Sequence, residues 1–285
     1  MLLDLLKANR VVEENKGSFS FSPQFKTALQ YRDLMEARLD FANLIASDFT
    51  DFFTALIRSP DWFFQNARTF NLFSYNRCFE PSPENYKQTR RWMRITTALT
   101  RYEARVCMHH HDFSGYRRIL DIGGNSGEFA LQVCKKHPDV AAAVFDLPLV
   151  CDIGAEHLQS APEAGRIKFI KGDALADKLP IGFDLISFKS MLHDWPDREA
   201  GQLIENASRS LRAGGTLLIF ERGPLEIDNE AVPYSMLPFL LFFRSYRSPE
   251  LYAEILKDKH FGHVAVKKIK LETPFCLITA TKSGG

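Results

Sequence analysis

The sequence predicts an α/β protein: a mostly parallel sheet of seven strands, the last one antiparallel, preceded by a mainly helical region. Three observations carry this. From Tyr116 onward, short apolar runs alternate with segments whose apolar residues recur at helical spacing. A glycine-rich turn in "RRILDIGGNSGEF" (117–129) joins one such run to a helix. Before residue 113 the alternation is absent and helical periodicity dominates, which divides the chain into 1–112 and 113–285.

The first region opens with "RVVEENKGSFSFSP" (10–23), a hairpin pattern with a Lys16-Gly17 turn, and most of 28–110 reads as helix. A helix over 84–108 sets Trp92, Ile95, Leu99, Tyr102 and Val106 on one face. Arg90, Arg94, Arg101 and Arg105 fall on another, a stripe read as a solvated face rather than an anion grip. The strands follow at 117–122, 140–146, 166–172, 183–189, 215–222, 263–270 and 274–282. Strands alternating with helices imply a parallel sheet covered on both faces. The last two are too close in sequence for a crossover helix, so they pair antiparallel. The clearest helix carries Ala200, Leu203, Ile204, Ala207 and Leu211, with "AGG" closing it.

With 285 residues the chain holds one large domain or two ordinary ones. A net charge of +1 gives no global attraction for nucleic acid or acidic membranes. The cysteines at 78, 107, 134, 151 and 276 form no CxxC pair and leave an odd one over. That points to a reducing cytoplasm and away from a disulfide frame or a zinc site. "VPYSMLPFLLFF" (232–243) is too short and proline-broken to span a bilayer, and Asp4 interrupts the apolar start. "CMHHHD" (107–112) cannot turn three consecutive histidines onto one ion, so no metal is expected. The 24 Phe residues, dense in 41–79 and 239–243, read as core packing with some rings free to line a pocket for a flat ligand.

The glycine turn lacks the spacing of a dinucleotide fingerprint, since Gly123 and Gly124 are adjacent and Asn125 takes the next special position. Asp121, just before the turn, would repel a pyrophosphate and attract an amine. S-adenosylmethionine (SAM) offers an amine, a carboxylate, a ribose and an adenine without phosphate, and fits best. A flavin, a nicotinamide or a purely structural turn stays open on the turn alone.

"LDIGGNSGEF", "VFDLPLV", "KGDAL", "FKSMLHDWPD" and "GGTLLIFERGPLE" together resemble the class I SAM-dependent methyltransferases, in particular the caffeate and hydroxyindole type of small-molecule O-methyltransferase. The resemblance is dense over 113–230. It implies a Rossmann-like sheet behind an N-terminal winged-helix-like region that serves homodimerisation and helps close the partner's active site. The family's opening segment is not matched, since the chain starts near the wing. SAM is the cofactor so implied, S-adenosylhomocysteine (SAH) the product, and a small hydroxylated, aromatic compound of secondary metabolism the acceptor.

Carried over by position, Gly123 and Gly124 pass under the methionine part, with Asp121 near the amine. Asp146, followed by Leu147, accepts from the ribose hydroxyls, though a helix N-cap is its plainer reading. Asp173 and Ala174 match the adenine-contacting pair, with Ala174 where relatives often have Met. Lys189 lies at the edge of the cofactor site, and Trp195 packs on the adenosine. His193 matches the general base, with a histidine that merely packs its loop as the alternative, and Glu221 matches the acid that orients the imidazole. Strands four and five are neighbours, so these two side chains meet. The family's second acid, four residues after an Arg, falls on Leu251 when counted from Arg247, with Glu250 beside it. That departure questions whether His193 is clamped from both sides. Met93, Met236, Phe239 and Phe243 are the candidate substrate wall.

Three rivals remain: the same SAM site acting on nitrogen or carbon, a non-methylating descendant, and a regulator whose wing binds DNA. The last is weakened because residues 1–30 hold four Lys or Arg against three Asp or Glu, and about nine residues precede the wing, too few for groove-reading helices. The Phe-rich helices of 1–110 carry more apolar surface than a small cap hides, which favours a homodimer.

Overall fold

The computed structural model describes residues 1–225, 234–242 and 245–283. Helix α1 (Leu2–Ala8) leads into an antiparallel hairpin of β1 (Val12–Asn15) and β2 (Ser18–Phe21). Lys16 and Gly17 take φ of 49° and 78°, the left-handed pair that suits a two-residue hairpin turn. Helices α2 (Pro23–Ala28), α3 (Arg32–Arg58), α4 (Pro60–Asn66) and α5 (Arg68–Leu72) follow. Helix α6 (Pro83–His110) starts where Ser82 Oγ accepts the N–H of Asn85, with Pro83 at its first position. Its apolar face buries Trp92, Ile95 and Leu99 against Phe41 and Ile45 of α3 and Phe63 of α4. The arginine stripe is largely tied down. Arg94 pairs with Asp40 and Arg101 with Asp33 and Glu128, while Arg90 and Arg105 lie over the rings of Tyr86 and Tyr102.

The remainder is β3 (Arg118–Ile122), α7 (Glu128–Lys136), β4 (Ala141–Asp146), α8 (Pro148–Leu158), β5 (Ile167–Lys171), β6 (Phe183–Lys189), α9 (Asp197–Ser210), β7 (Leu211–Arg222), α10 (Leu237–Leu241), α11 (Pro249–Asp258), β8 (Phe261–Lys270) and β9 (Pro274–Lys282). The seven-stranded sheet runs β5-β4-β3-β6-β7-β9-β8, with β9 antiparallel to both its neighbours. All seven expected strands are present.

The boundary between α9 and β7 differs most from expectation. Leu211 is not the last turn of α9: the helix stops at Ser210, and Leu211 is extended at φ −74° and ψ 137°. The "AGG" that was to close the helix lies inside β7, where Gly214 takes φ 71° and the register with β6 shifts. An apolar residue one turn after Ala207 fits a helix and a buried strand equally well, and the pairing with Phe183 decides it.

Ile122, Phe188 and Ile219 pack with Leu203 and Ala207 of α9 on one face of the sheet. Ile119, Leu185 and Leu218 pack with Phe129 and Val133 of α7 on the other. Each of these side chains except Ala207 contributes about 1.5–3 kcal/mol by burial. The strand order reverses between β3 and β6, which opens a crevice beyond their carboxyl ends, the place where such sheets hold ligands.

Candidate active site

The turn after β3 sets Gly123, Asn125 and Gly127 at φ of 65°, 55° and 73°. A Cβ on Gly123 would come within 2.5 Å of Met191 Cγ, so glycine is what lets this backbone pass the loop after β6. Asp121 lies beneath the turn, 3% exposed, and a Cβ on Gly124 would meet its Oδ2 at 2.6 Å. Asp121 Oδ1 accepts from Ser187 Oγ at 2.7 Å, while Oδ2 is buried with no hydrogen-bond partner among the described residues. Burial lifts its pKa to about 7, against the Ser187 hydrogen bond and the charge of Lys189. Asp121 and Gly124 therefore form the floor of the turn, and Gly123 and Asn125 face the cavity above it.

That cavity, about 410 Å³, fills the crevice, and Gly123, Asp146, Leu147, Asp173, Ala174, Lys189, His193 and Trp195 all line it. Asp146 accepts the N–H of Asn125 and of Leu147, each at 2.7 Å, leaving lone pairs on both oxygens. Burial lifts its pKa to about 6 in spite of those bonds. Asp173 Oδ1 accepts the N–H of Leu175 at 2.9 Å, and Trp195 stacks on Tyr75 with ring centroids 6.1 Å apart.

The four residues expected to form a substrate wall are placed differently in the structure. Phe239 lines the cavity, whereas Met93, 2% exposed, lies in the core beside it. Trp92, Thr96, Leu99, Thr100 and Glu103 mark the cavity-facing stripe of α6, and Met93, at the edge of that stripe, packs into the core instead. Met236, in the turn Tyr234–Met236, is half-buried and off the wall, and Phe243 lies outside the described residues. Phe41, Phe73, Trp92, Phe242 and Tyr246 supply the aromatic lining.

His193 sits in the short turn Leu192–Asp194 after β6. Its Nδ1 is 2.7 Å from Glu221 Oε2, and Glu221 Oε1 accepts the N–H of Met191 and of Leu192, each at 2.7 Å. His193 Nε2 is left to the cavity, with Asp194 Oδ1 at 3.4 Å. Burial alone would depress the imidazole's pKa; the charges of Glu221 and Asp194 and the Glu221 hydrogen bond outweigh it and raise it. Burial would likewise raise Glu221, but His193 and the two backbone N–H groups hold it below the usual range. Arg247 braces this loop by donating to the carbonyls of Leu192 and Trp195 and to Asp197. Leu251, in the first turn of α11, is not part of the cavity wall, and Glu250 pairs outward with Lys268 at 3.0 Å. The carboxylate near Nε2 is Asp194, which accepts from Tyr75 Oη at 2.6 Å.

Among the cavity-lining residues that escaped the sequence reading are two buried charges. Glu103 of α6 bridges Lys189 and Arg222 in a buried cluster, and its pKa falls to about 2 because those two charges override burial. A charge four residues after Leu99, on the apolar face of α6, is the signal that marks Glu103. Arg222 had no signal beyond its place after Glu221.

An O-methyltransferase domain family model matches residues 54–261. The chain belongs to that O-methyltransferase family. Among its relatives, 3-hydroxy-5-methyl-1-naphthoate 3-O-methyltransferase of Streptomyces sahachiroi is 38% identical over 170 residues, 57% of this chain and 48% of that protein. N,N-dimethyltransferase OxyT of Streptomyces rimosus is 30% identical over 145 residues, 50% of this chain and 42% of that protein. The chain thus spans about half, or less, of the length of these curated relatives. Human N-acetylserotonin methyltransferase, solved in complex with SAM, shares the family fold at a TM-score of 0.66 and 20% identity, over 99% of this chain and 82% of that one. Among the described residues no three His, Cys, Asp or Glu converge as for a metal ion, and no helix is long and apolar enough to cross a membrane.

Proposed function

We propose that this O-methyltransferase family member transfers a methyl group from SAM to a hydroxyl of a small aromatic acceptor, with His193 as general base. The observation that carries the reading is the His193–Glu221 pair opening onto the same cavity as Asp146 and Asp173.

The residues fit SAM. Gly123 and Asn125 offer backbone to the methionine end, with the Asp121 carboxylate beneath the turn favouring a positive amine above it; Asp146 keeps lone pairs for vicinal hydroxyls, and Asp173 with Ala174 offers a rim for an adenine. Bound there, SAM supplies an electrophilic methyl on a sulfonium. The chain's task is then the acceptor proton. A phenol titrates about three units above neutrality, a handicap of about 4 kcal/mol if its oxygen reacts as the anion. His193 Nε2 takes that proton, and Glu221 at Nδ1 stabilises the imidazolium as it forms. The aromatic walls hold a flat acceptor in line, an orientation effect of up to about 7–11 kcal/mol.

A nitrogen acceptor is the second reading, supported by the similarity to OxyT. It needs less from His193, since an amine carries its own lone pair. We further propose 1–112 as a dimerisation region. Exposed Leu5, Phe19, Phe21, Phe53, Ile57 and Trp62 on its surface support this.

Calorimetry with SAH and with NAD tests the cofactor, SAH alone being expected to bind. Incubation with SAM and a panel of hydroxyaryl and aminoaryl acceptors, read by product mass and fragmentation, tests the reaction. NAD binding without SAH, or methylation confined to nitrogen, overturns the proposal.

A further inference from the structure

Arg222 follows Glu221 in β7, and strand alternation sends its side chain to the opposite face, toward α6. Its guanidinium lies between two rings, 4.9 Å from the centroid of Phe239 and 4.8 Å from that of Phe275, and reaches the cavity wall beside Lys189 and Ser190. The side chain is only 7% exposed. Of its five N–H donors, the described partners are the Glu103 carboxylate and, at a long 3.4 Å, Ser190 Oγ; Nε has none.

Lys189, equally buried, donates to Thr100 at 2.9 Å and to the other oxygen of Glu103. One carboxylate between two cations leaves the wall with an excess positive charge. Arg38, also over Phe239, is matched by Glu272 and does not change the balance. Of the cavity's acids, Asp194 feels the Arg222 charge but makes its described contacts to Tyr75 and His193 and none to the guanidinium, and Asp146 lies three strands from β7, about 14 Å at the usual strand spacing. A desolvated cation short of partners is costly, and a bound carboxylate supplies what it lacks.

We infer that Arg222, with Ser190, forms an anion subsite that reads a carboxylate on the acceptor, so that the preferred acceptors are hydroxyaryl carboxylates rather than neutral phenols. This rests on the methyl-transfer reading above. It places the acceptor's carboxylate at the end of β7, next to the residue that orients the base.

The methionine end of SAM also carries a carboxylate, and the test separates the two sources. Binding of 1-naphthoate and 2-naphthoate is measured by calorimetry against the matching naphthamides, with and without SAH. These probes lack a hydroxyl and cannot react. At least one naphthoate should bind about tenfold or more tighter than its amide, and Arg222→Gln should erase the difference. Arg222→Lys, which keeps a cation opposite Glu103, should retain part of it and shows that loss in Arg222→Gln is not loss of fold. In both variants the affinities for SAH and for 5′-methylthioadenosine, which has no carboxylate, should stay within about threefold of wild type. Amides binding as tightly as naphthoates, or a preference that survives Arg222→Gln, overturns the inference. So does a selective loss of SAH over methylthioadenosine, which would assign the subsite to the cofactor. Failure of the wild type to bind SAH at all counts against methyl transfer instead, and the naphthoate–amide pair without SAH still decides the subsite.

Discussion

Glu221 divides its carboxylate between two tasks: Oε2 meets His193 Nδ1 at 2.7 Å, while Oε1 accepts the backbone N–H of Met191 and Leu192, the residues leading into His193. The acid that charges the imidazole thus also shapes the loop that carries it. His193→Ala should lower kcat on a phenolic acceptor by about 10² or more and leave SAH affinity nearly unchanged. Turnover and calorimetry on the same preparation check this. Full activity at neutral pH would remove His193 from the role of base.

Glu221→Gln gives a separate signature in the pH–rate profile. His193 must be neutral to accept a proton, and its raised pKa sets the acidic limb of the wild type above the ordinary histidine value. Removing the Glu221 charge leaves only that of Asp194 against burial, so the imidazole titrates lower than in the wild type and the limb moves to lower pH. The maximum falls as well. A limb that stays in place would mean that Glu221 does not charge the imidazole.

SAH affinity should rise with pH. Asp121 and Asp146 titrate near 7 and 6 because burial disfavours their charged forms. An ammonium bound above the turn favours the ionised form of Asp121 beneath it, so binding releases protons and weakens as pH falls from about 8 to about 5. Calorimetry in buffers of different ionisation enthalpy measures that release. Asp121→Asn should flatten the dependence and weaken binding; an unchanged dependence would remove Asp121 from the cofactor's surroundings.

Glu103→Ala should destabilise the fold by about 3–5 kcal/mol, because Lys189 and Arg222 would stay buried without their shared carboxylate. In the wild type, the depressed pKa makes Glu103 stabilising above its unfolded value and lets that stability drain as pH falls toward about 2. The variant should lack this acid-limb loss. Denaturant unfolding midpoints across pH check both statements.

Much of this was legible in the chain because it is local. Apolar runs mark the strands, and a glycine turn or a His-Asp-Trp after a strand lands at the sheet's ligand edge by topology. Glu221 was reachable because it ends the strand beside the one preceding His193. What was not legible depends on rotation or on distant pairing. Met93 and Trp92 are neighbours on α6 and both pack in the core, and only Trp92 also reaches the cavity wall. Tyr75 meets Asp194 across 119 residues, and no pattern in either segment announces it. Leu211 misled because one apolar residue suits helix and strand alike.

Helix α6 touches the sheet's ligand edge turn after turn: Thr96 reaches Asn125, Thr97 reaches Ser126, Thr100 reaches Lys189, and Glu103 binds both Lys189 and Arg222. Toward α3 its contacts are apolar packing and more exposed ion pairs, which tolerate exchange of residues far better than buried charges do. Recombination between family members would feel this difference. A chimera crossing over at 112 would separate Glu103 from the two cations it neutralises, whereas one crossing over between 73 and 82 would inherit the helix together with its partners. Exchangeable modules in this chain are therefore cut by where buried charge is shared, one long helix earlier than the change from helical to alternating pattern suggests.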